Sequence, residues 1–174
     1  MEKLMYESPI GEIVILTDMN YVKGLWFSDQ KFEGAQYKLD EIVEKNSKMG
    51  KLVAKWLDDY FNQKHPSLSQ LLLAPEVTEF RNKVLGVLID TPYGETRSYK
   101  ELYEQINLKS EKRIGSIRAV GGAVGHNPIS IIIPCHRIVG SDGKLTGYAG
   151  GIDRKKYLLK LEGVDVDLEK DRIN

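Results

Sequence analysis

The spacing of apolar residues changes near residue 49, and this change constrains the fold more than any other feature of the sequence. Residues 10–17 and 21–27 are rich in β-branched and aromatic residues and are separated by Asp18-Met19-Asn20, which predicts two antiparallel strands joined by a turn. From Met49 onward the apolar side chains follow one broad face of a helix. They are Leu52, Val53, Trp56, Leu57, Tyr60 and Phe61.

A polar stretch bounded by prolines, from Asn62 to Pro75, separates this part from the rest of the chain. Such a composition is typical of a boundary between domains. The length of 174 residues suits one sizeable domain or two small ones. We therefore expect an N-terminal α/β domain over residues 1–75 and a second domain over residues 76–174.

The second part carries start signals for three short helices. Thr78 precedes an apolar stripe that stops before Thr91, the run Ser98-Tyr99-Lys100-Glu101 fits a capping box, and Ser110 is expected to cap a helix that reaches about Val124. Three short helices with brief connections favour a helix-turn-helix unit. A plain helical bundle gives the same pattern, so the helices alone leave both possibilities open.

An apolar run and a last helix follow. Residues 129–133, Ile-Ser-Ile-Ile-Ile, are expected to be extended and buried. The last helix is expected to start with Asp153 as its N-cap and to end at Gly163. Its inward side chains are predicted to be Tyr157, Leu158 and Leu161.

Composition excludes several classes of protein. A single cysteine cannot form an internal disulfide or supply a cysteine-rich zinc site. No run approaches the roughly 20 apolar residues that a membrane helix needs, and the first residues lack the pattern of a signal peptide. We therefore expect a cytoplasmic protein that does not act at a membrane.

Basic residues concentrate in the middle of a chain whose formal net charge is zero. Residues 81–160 carry 14 lysines and arginines against 7 acidic residues, and they hold six of the seven arginines. Because arginine binds phosphates and base edges well, this segment indicates an anionic partner such as a nucleic acid. A mixed, solvated surface is the alternative explanation.

Three glycines, Gly121, Gly122 and Gly125, fall within the predicted third helix. Each costs about 1 kcal/mol relative to alanine in a helix interior. Close approach to another surface, such as a groove of DNA, would offset this cost. Close packing against another helix would do so equally well.

The single cysteine lies in the run Pro134-Cys135-His136-Arg137. A free cysteine is usually an inert buried residue, but here a histidine and an arginine follow directly. A nearby base or cation favours the nucleophilic thiolate over the thiol, whose ordinary pKa is about 8.5. Adjacent residues of an extended segment point to opposite faces, so we expect a water to connect His136 with Cys135. A carboxylate should orient the imidazole, and spacing alone leaves Glu162 either in that position or in solvent.

A glycine-rich loop, Gly147-Tyr148-Ala149-Gly150-Gly151, follows the cysteine. Its glycines allow the backbone to approach a flat ligand closely, and Tyr148 offers a stacking face. The loop is therefore a candidate ligand-binding segment.

Four blocks of the sequence together resemble the O6-alkylguanine-DNA alkyltransferases, also called methylated-DNA–protein-cysteine methyltransferases. They agree with that family in order and spacing over most of residues 78–163. The blocks are Ile133-Pro134-Cys135-His136-Arg137-Ile138-Val139; Tyr93-Gly94-Glu95-Thr96-Arg97-Ser98-Tyr99; Arg118-Ala119-Val120-Gly121-Gly122-Ala123 with Asn127-Pro128; and Gly147-Tyr148-Ala149-Gly150-Gly151 with Glu162-Gly163.

For the chemistry, the resemblance implies that Cys135 is the nucleophile that takes an alkyl group from guanine O6. It implies that His136 acts as the base through a water and that Glu162 orients His136. Tyr99 is implied as a further catalytic residue that protonates the departing guanine. Asn127 resembles the hinge residue that connects the recognition helix with the active-site segment.

For DNA, the resemblance implies that Arg118 enters the duplex in place of the extruded nucleotide, and that Tyr99 crowds the target phosphate. The further DNA contacts that we expect are Ala119, Gly122 and Arg137. The residues that line the substrate pocket are expected to be Tyr148, Ala149 and Gly150.

The resemblance also implies an α+β fold. An RNase H-like α/β domain with a structural role would precede a mainly helical, winged-helix or helix-turn-helix-like domain that binds DNA and transfers the alkyl group. The implied partner is double-stranded DNA containing O6-alkylguanine, with O4-alkylthymine as a further substrate and with no cofactor or metal. We expect a monomer that reacts once, because nothing in the motif regenerates the thiol; cooperative loading on DNA stays open.

The sequence departs from the family pattern in two places. Ala149 stands where many members have a small hydroxyl residue, which puts one contact to the base in doubt, and residues 1–80 match only loosely. Two other function classes are alternatives: a lesion-binding protein without transfer activity and a Cys-His hydrolase. Cys135 argues against the first, because such proteins lack the nucleophile, and the block that begins at Arg118 has no purpose in the second.

Overall fold

The computed structural model describes residues 1–108 and 111–174. The chain divides into two compact units, one formed by Met1–Glu76 with Pro128–Ile132 and the other by Val77–Asn127 with Ile133–Asn174. Across the described residues the fold is mixed α+β, with five α-helices and a small, mainly antiparallel sheet. The predicted α+β class is confirmed.

The first unit is built on a four-stranded sheet. β1 (Glu2–Ser8), β2 (Gly11–Asp18) and β3 (Tyr21–Phe27) form an antiparallel meander, so the predicted strand pair is confirmed as β2 and β3. The sequence did not indicate β1, which contains no β-branched residue. β4 (Leu72–Leu73) pairs in parallel with β3, so the stretch interpreted as a linker also contributes a strand.

One helix packs on this sheet, as the apolar spacing predicted. α1 (Lys48–Phe61) begins after Ser47, whose side chain accepts a hydrogen bond from Gly50 N. The Ser47 hydroxyl also lies 2.9 Å from the Thr17 hydroxyl of β2 and forms a buried hydrogen bond with it. The helix buries an apolar face that includes Val53, Trp56, Leu57 and Tyr60.

Residues 129–133 are buried, but the prediction that they are extended was wrong. Ile129 forms a single parallel bridge with Leu25 of β3, and residues 130–132 form a turn in which Ile131 has a φ of 67°. The backbone of Leu25 exchanges hydrogen bonds with Pro128 O and Ser130 N at 2.8 Å each. The segment thus meets β3 in a single bridge and then turns away, so it does not continue as a ladder.

Three helices of the second unit pack against one another: α2 (Glu79–Leu88), α3 (Tyr99–Asn107) and α4 (Ile117–Gly125). Thr78 caps α2, and the capping box of Ser98 and Glu101 is formed at the start of α3, as predicted. Ser116 caps α4. The cap predicted for this helix, Ser110, lies outside the described residues.

The rest of the second unit begins with the 3₁₀ turn Cys135–Arg137, which leads into β6 (Ile138–Val139). β6 pairs in parallel with β5 (Arg97–Ser98). α5 (Ile152–Leu161) follows, and then an antiparallel hairpin of β7 (Val166–Asp167) and β8 (Arg172–Ile173). An apolar cluster connects these elements through Val139, Leu145, Leu159 and Val166.

α5 differs in detail from its prediction. Gly151, with a φ of 91°, takes the N-cap position, and Asp153 lies in the first turn without capping the helix. Tyr157 is 38% exposed and not inward. The buried face instead contains Lys155, Leu158 and Leu159, because the Lys155 amine finds backbone carbonyls to bind inside the unit.

Two features are absent from the described parts of the chain. None of their helices has the length and apolar character that crossing a bilayer requires. Within residues 1–108 and 111–174, no group of three or more histidine, cysteine, aspartate or glutamate side chains is arranged to hold a metal ion.

Candidate active site

Cys135 begins the 3₁₀ turn Cys135–Arg137, directly after Pro134, and is 6% exposed. The side-chain amide of Asn127, just past the end of α4, donates hydrogen bonds to Cys135 Sγ (3.2 Å) and to Ile133 O (2.8 Å). Asn127 therefore connects the end of α4 with the turn that carries the cysteine. The predicted hinge residue would need this position between the two segments.

Glu162 follows α5 directly, and both oxygens of its buried carboxylate accept hydrogen bonds. The donors are His136 Nε2 (2.7 Å), Arg137 Nε (2.8 Å) and Nη2 (3.0 Å), and Gly94 N (3.3 Å). Because Nε2 donates to the carboxylate, a neutral imidazole keeps its lone pair on Nδ1. Nδ1 is buried and has no hydrogen-bond partner among the described residues. The arrangement offers the acceptor nitrogen that a general base needs.

Arg137 points into the protein, with its side chain 11% exposed. Besides binding Glu162, its Nη1 donates to Thr91 O (2.5 Å), and its guanidinium lies 5.7 Å from the centroid of the Tyr93 ring. The expected DNA contact by Arg137 does not match this placement. The guanidinium is instead the counter-charge of Glu162, and a buried carboxylate needs such a partner.

Burial and charge set the protonation states of the site. Burial alone raises the pKa of Glu162, but the charges and hydrogen bonds of His136 and Arg137 outweigh it and hold this pKa well below its usual range. Burial lowers the pKa of His136, against the opposing effect of Glu162. Burial raises the pKa of the Cys135 thiol, although a hydrogen bond and a nearby positive charge oppose it. At neutral pH the resting site therefore holds a carboxylate, a neutral imidazole and a thiol.

The glycine-rich loop after Thr146 contributes the aromatic part of the site. Tyr148 is buried, its ring stands edge-on to the His136 ring at 6.5 Å, and its hydroxyl has no hydrogen-bond partner among the described residues. Tyr99 donates a hydrogen bond to Thr146 O (3.1 Å). A Cβ at Gly147 would lie 2.8 Å from the Tyr99 hydroxyl, so glycine permits this approach. The other loop residues predicted to line a pocket are half-buried Ala149 and buried Gly150.

The surface of α4 carries exposed Arg118, Ala119 and Gly122. A Cβ added at Gly122 or at Gly125 would meet no atom within 4 Å, whereas one at Gly121 would contact the Tyr99 ring at 3.7 Å. Packing inside the protein therefore does not require glycine at positions 122 and 125. Of the two explanations for these glycines, close approach by another molecule fits the surface better.

Comparison with known proteins identifies the family. The sequence model described as the DNA-binding domain of 6-O-methylguanine DNA methyltransferase matches residues 79–164. The methylated-DNA–protein-cysteine methyltransferase of Methanosarcina barkeri is 46% identical over 156 residues, which cover 90% of this chain and 93% of that protein. The chain belongs to the methylated-DNA–protein-cysteine methyltransferase family.

Two further members of this methyltransferase family support the assignment. The Haemophilus influenzae enzyme is 38% identical over 161 residues, covering 91% of this chain and 84% of that one. A crystal structure of Mycobacterium tuberculosis OGT in complex with DNA superimposes with a TM-score of 0.80 at 36% identity, covering 93% of this chain and 92% of that one. The predicted family is confirmed, and the protein is a methyltransferase that acts by this family's reaction.

The described part of the methyltransferase also contains a buried charge to which the sequence predictions gave no role. Lys155 on α5 is fully buried, and its Nζ donates to Ile138 O (2.5 Å) and Thr146 O (2.9 Å). A signal was present in the sequence, since four residues spaced three and four apart share one face of the helix. They are Lys155, Leu158, Leu159 and Glu162.

We expect the stability of the methyltransferase to fall as the pH drops from 7 to 5, because His136 is held neutral. In the unfolded chain a histidine gains its proton near pH 6.5, whereas burial lowers the pKa of His136 in the folded protein. Below about pH 6.5 the unfolded state therefore binds more protons and is favoured. Urea titrations at the two pH values should show a smaller free energy of unfolding at pH 5.

The variant His136→Gln should lack this part of the pH dependence. The exposed residue His65 provides the matched control, since His65→Gln should keep the dependence of the wild-type protein. An unchanged pH dependence in His136→Gln would show that another group is responsible.

Proposed function

We propose that this methyltransferase repairs double-stranded DNA by one irreversible transfer of a methyl or larger alkyl group from guanine O6 to Cys135. O4-alkylthymine is proposed as a further substrate. Two hydrogen bonds carry the proposal: Asn127 donates to the Cys135 thiol, and His136 donates to Glu162. They occur in a family named for methyl transfer from DNA to a protein cysteine. The DNA complex of the similar Mycobacterium tuberculosis protein supports DNA as the partner.

The transfer is a displacement at the alkyl carbon. His136 Nδ1 receives the thiol proton through a water, and Cys135 Sγ forms a bond to the alkyl carbon as the bond from that carbon to guanine O6 breaks. The electron pair of the broken bond stays on guanine, which takes up one proton from Tyr99. The proton lost by the thiol makes up for the one that Tyr99 donates, so the number of protons is unchanged. Reversal would require a nucleophile to displace the Cys135 thiolate from the alkyl carbon. No side chain of the described site is assigned to that step, so each molecule reacts once.

Access to the alkylated base requires the nucleotide to leave the duplex, at a cost of a few kcal/mol in lost stacking. In this proposal Arg118 fills the gap that the nucleotide leaves, and Tyr99 lies against the phosphate of the target nucleotide. Ala119 and Gly122 contact the minor groove, where glycine allows the helix to come close. The exposure of these α4 residues and the open space around Gly122 support this assignment. The flipped base lies against Tyr148, with Ala149 and Gly150 beside it.

We propose that the whole chain has the two-domain organisation predicted from the sequence. Residues 76–174 form a winged-helix or helix-turn-helix-like domain that binds DNA and transfers the alkyl group, a role that the mutual packing of α2, α3 and α4 supports. Residues 1–75 form an RNase H-like domain with a structural role. One molecule, working as a monomer, repairs one lesion because it has one cysteine.

The test follows the methyl group on DNA. A duplex with one O6-methylguanine is incubated with wild-type protein or with Cys135→Ser and then digested to nucleosides. The wild-type protein should convert the lesion to guanine in an amount equal to the protein added, and Cys135→Ser should bind the duplex and convert none. Tight binding by the wild-type protein with the lesion left intact would support a lesion-binding protein instead.

A further inference from the structure

Asn107 is the last residue of α3, and its polar side chain is buried, with 8% of the residue exposed. Its Oδ1 accepts a hydrogen bond from Ile114 N at 2.7 Å. Its Nδ2 donates to Tyr103 O at 2.9 Å and to Ile114 O at 3.4 Å. The side chain therefore ties both backbone groups of Ile114 to the last turn of α3, and a buried amide needs such partners.

The residues between Ile114 and α4 are held in place as well. Gly115 has a φ of 68°, and a Cβ at this position would lie 2.5 Å from the ring of Phe80 in α2. The backbone at Gly115 therefore passes directly over that ring. Ser116 then caps α4 with its side chain. The start of α4 is thus fixed against both α2 and α3.

A second side-chain contact in this part of the chain lies on the surface. Arg113 Nη1 and Nη2 donate to the carboxylate of Glu104, and the two side chains are 62% and 44% exposed. Exposed ion pairs contribute little to stability, whereas the loss of a buried hydrogen-bonding partner is costly. Of these two contacts, the buried one at Asn107 therefore decides where Ile114 lies.

The position of α4 relative to α3 matters for the surface that carries Arg118. Arg118 lies in the exposed first turn of α4, and a Cβ at Gly121 would lie 3.7 Å from the ring of Tyr99. Tyr99 is the first residue of α3 and Asn107 is the last. α3 therefore contacts the chain around α4 at both of its ends, and Arg118 lies between these two contacts along the sequence. A shift at the Asn107 end would move Arg118 relative to Tyr99.

We propose that Asn107 is a positioning residue for the reaction on duplex DNA, whose buried amide fixes the start of α4 and thereby sets the spacing of Arg118 and Tyr99. The inference rests on the proposed roles of Arg118 in the gap and of Tyr99 at the target phosphate. Asn107 itself touches neither the DNA nor the alkyl group. Because it acts through α4, its loss impairs the duplex reaction and leaves the chemistry at Cys135 intact.

The test uses Asn107→Leu, which keeps the approximate size of the side chain and removes its hydrogen bonds. Single-turnover transfer rates are measured with a duplex that contains O6-methylguanine and with the free base. The duplex rate should fall about tenfold, because a small misplacement of a positioning group is costly, and the free-base rate should stay at the wild-type value. Equal slowing of the two reactions, or a wild-type duplex rate, would overturn the proposal.

Two controls separate positioning from a general loss of stability. Ile106→Val removes one methyl group from the neighbouring buried position of α3, and Glu104→Gln removes the exposed contact to Arg113. Both variants should keep the wild-type ratio of duplex rate to free-base rate. A changed ratio in Ile106→Val would show that any weakening of α3 has this effect and would overturn the specific role of Asn107.

A double-mutant cycle shows whether Asn107 acts through Arg118. Asn107→Leu should slow duplex transfer much less in the Arg118→Ala protein than in the wild-type protein, because the side chain to be placed is already absent. Full, independent effects of the two substitutions would overturn the proposal. Asn107→Ser replaces Asn107→Leu in these experiments if the latter does not fold, since its side chain is too short to join Tyr103 O to Ile114.

A binding measurement separates this inference from the proposed transfer. The affinity for the O6-methylguanine duplex is measured by fluorescence anisotropy in Cys135→Ser, with and without Asn107→Ser, so that no alkyl group moves. Asn107→Ser should weaken binding several-fold. Weaker binding would support the role of Asn107 even if the wild-type protein transferred no methyl group, a result that would contradict the proposed function alone. Unchanged binding alongside normal wild-type transfer would overturn the inference and leave the proposed function standing.

Discussion

Glu162→Gln should slow alkyl transfer from a methylated duplex by about 100-fold, the usual range for losing a general base. The carboxylate accepts from His136 Nε2 and thereby leaves Nδ1 as the acceptor. An amide has one oxygen for the several donors that point at it. Its NH₂ group favours the imidazole tautomer that accepts at Nε2, and in that tautomer Nδ1 carries the proton and cannot remove one from Cys135.

The same substitution should lower the free energy of unfolding by about 3 kcal/mol, because it leaves the buried charge of Arg137 without its partner. Single-turnover rates and urea titrations measure the two effects separately, at a temperature where circular dichroism shows folded protein. Glu104→Gln is the matched control, since it removes an exposed carboxylate that binds Arg113 with two hydrogen bonds. Glu104→Gln should leave both the transfer rate and the free energy of unfolding unchanged. A wild-type transfer rate in Glu162→Gln would contradict the role assigned to this residue.

Arg118→Ala should reduce the transfer rate from a duplex by about 30-fold, because nothing then occupies the gap that the extruded nucleotide leaves. A rate loss of this size corresponds to a part of the few kcal/mol that extruding the nucleotide costs. The reaction with the free base O6-methylguanine needs no extrusion and should keep its wild-type rate. The ratio of the two rates is therefore the informative quantity.

Arg172→Ala is a suitable control for this variant. Arg172 lies in β8 and is exposed, so its replacement removes the same charge from the same unit without touching α4. It should leave both rates unchanged. Equal slowing of the duplex and free-base reactions by Arg118→Ala would contradict a role in extrusion and indicate damage to the active site itself.

Local sequence signals predicted much of the fold. β-Branched residues marked β2 and β3, apolar spacing marked α1, and the capping residues Thr78 and Ser98 marked the starts of α2 and α3. Each of these elements is favoured by interactions within a few residues along the chain. Where such signals are absent, as in β1 and β4, pairing with a neighbouring strand decides the conformation.

The arrangement of the site depends on contacts between distant residues, which spacing does not reveal. Glu162 is 26 residues from His136, and only the fold shows that it is buried and not solvated. The inward direction of Arg137 follows from Thr91 O and Glu162, neither of which is a sequence neighbour. The turn at Ile131 was hidden because an apolar run suits an extended or a coiled path equally well.

The central claim, that Cys135 accepts one alkyl group irreversibly, is tested most directly by the intact mass of the protein. The protein is incubated with an excess of a duplex that contains one O6-methylguanine and is then weighed by mass spectrometry, beside Cys135→Ser. We predict a gain of one methyl group that stops at one per molecule, maps to the peptide containing Cys135, and is absent from the variant. Unmodified protein alongside several repaired guanines per molecule, or a methyl group on another residue, would contradict the claim.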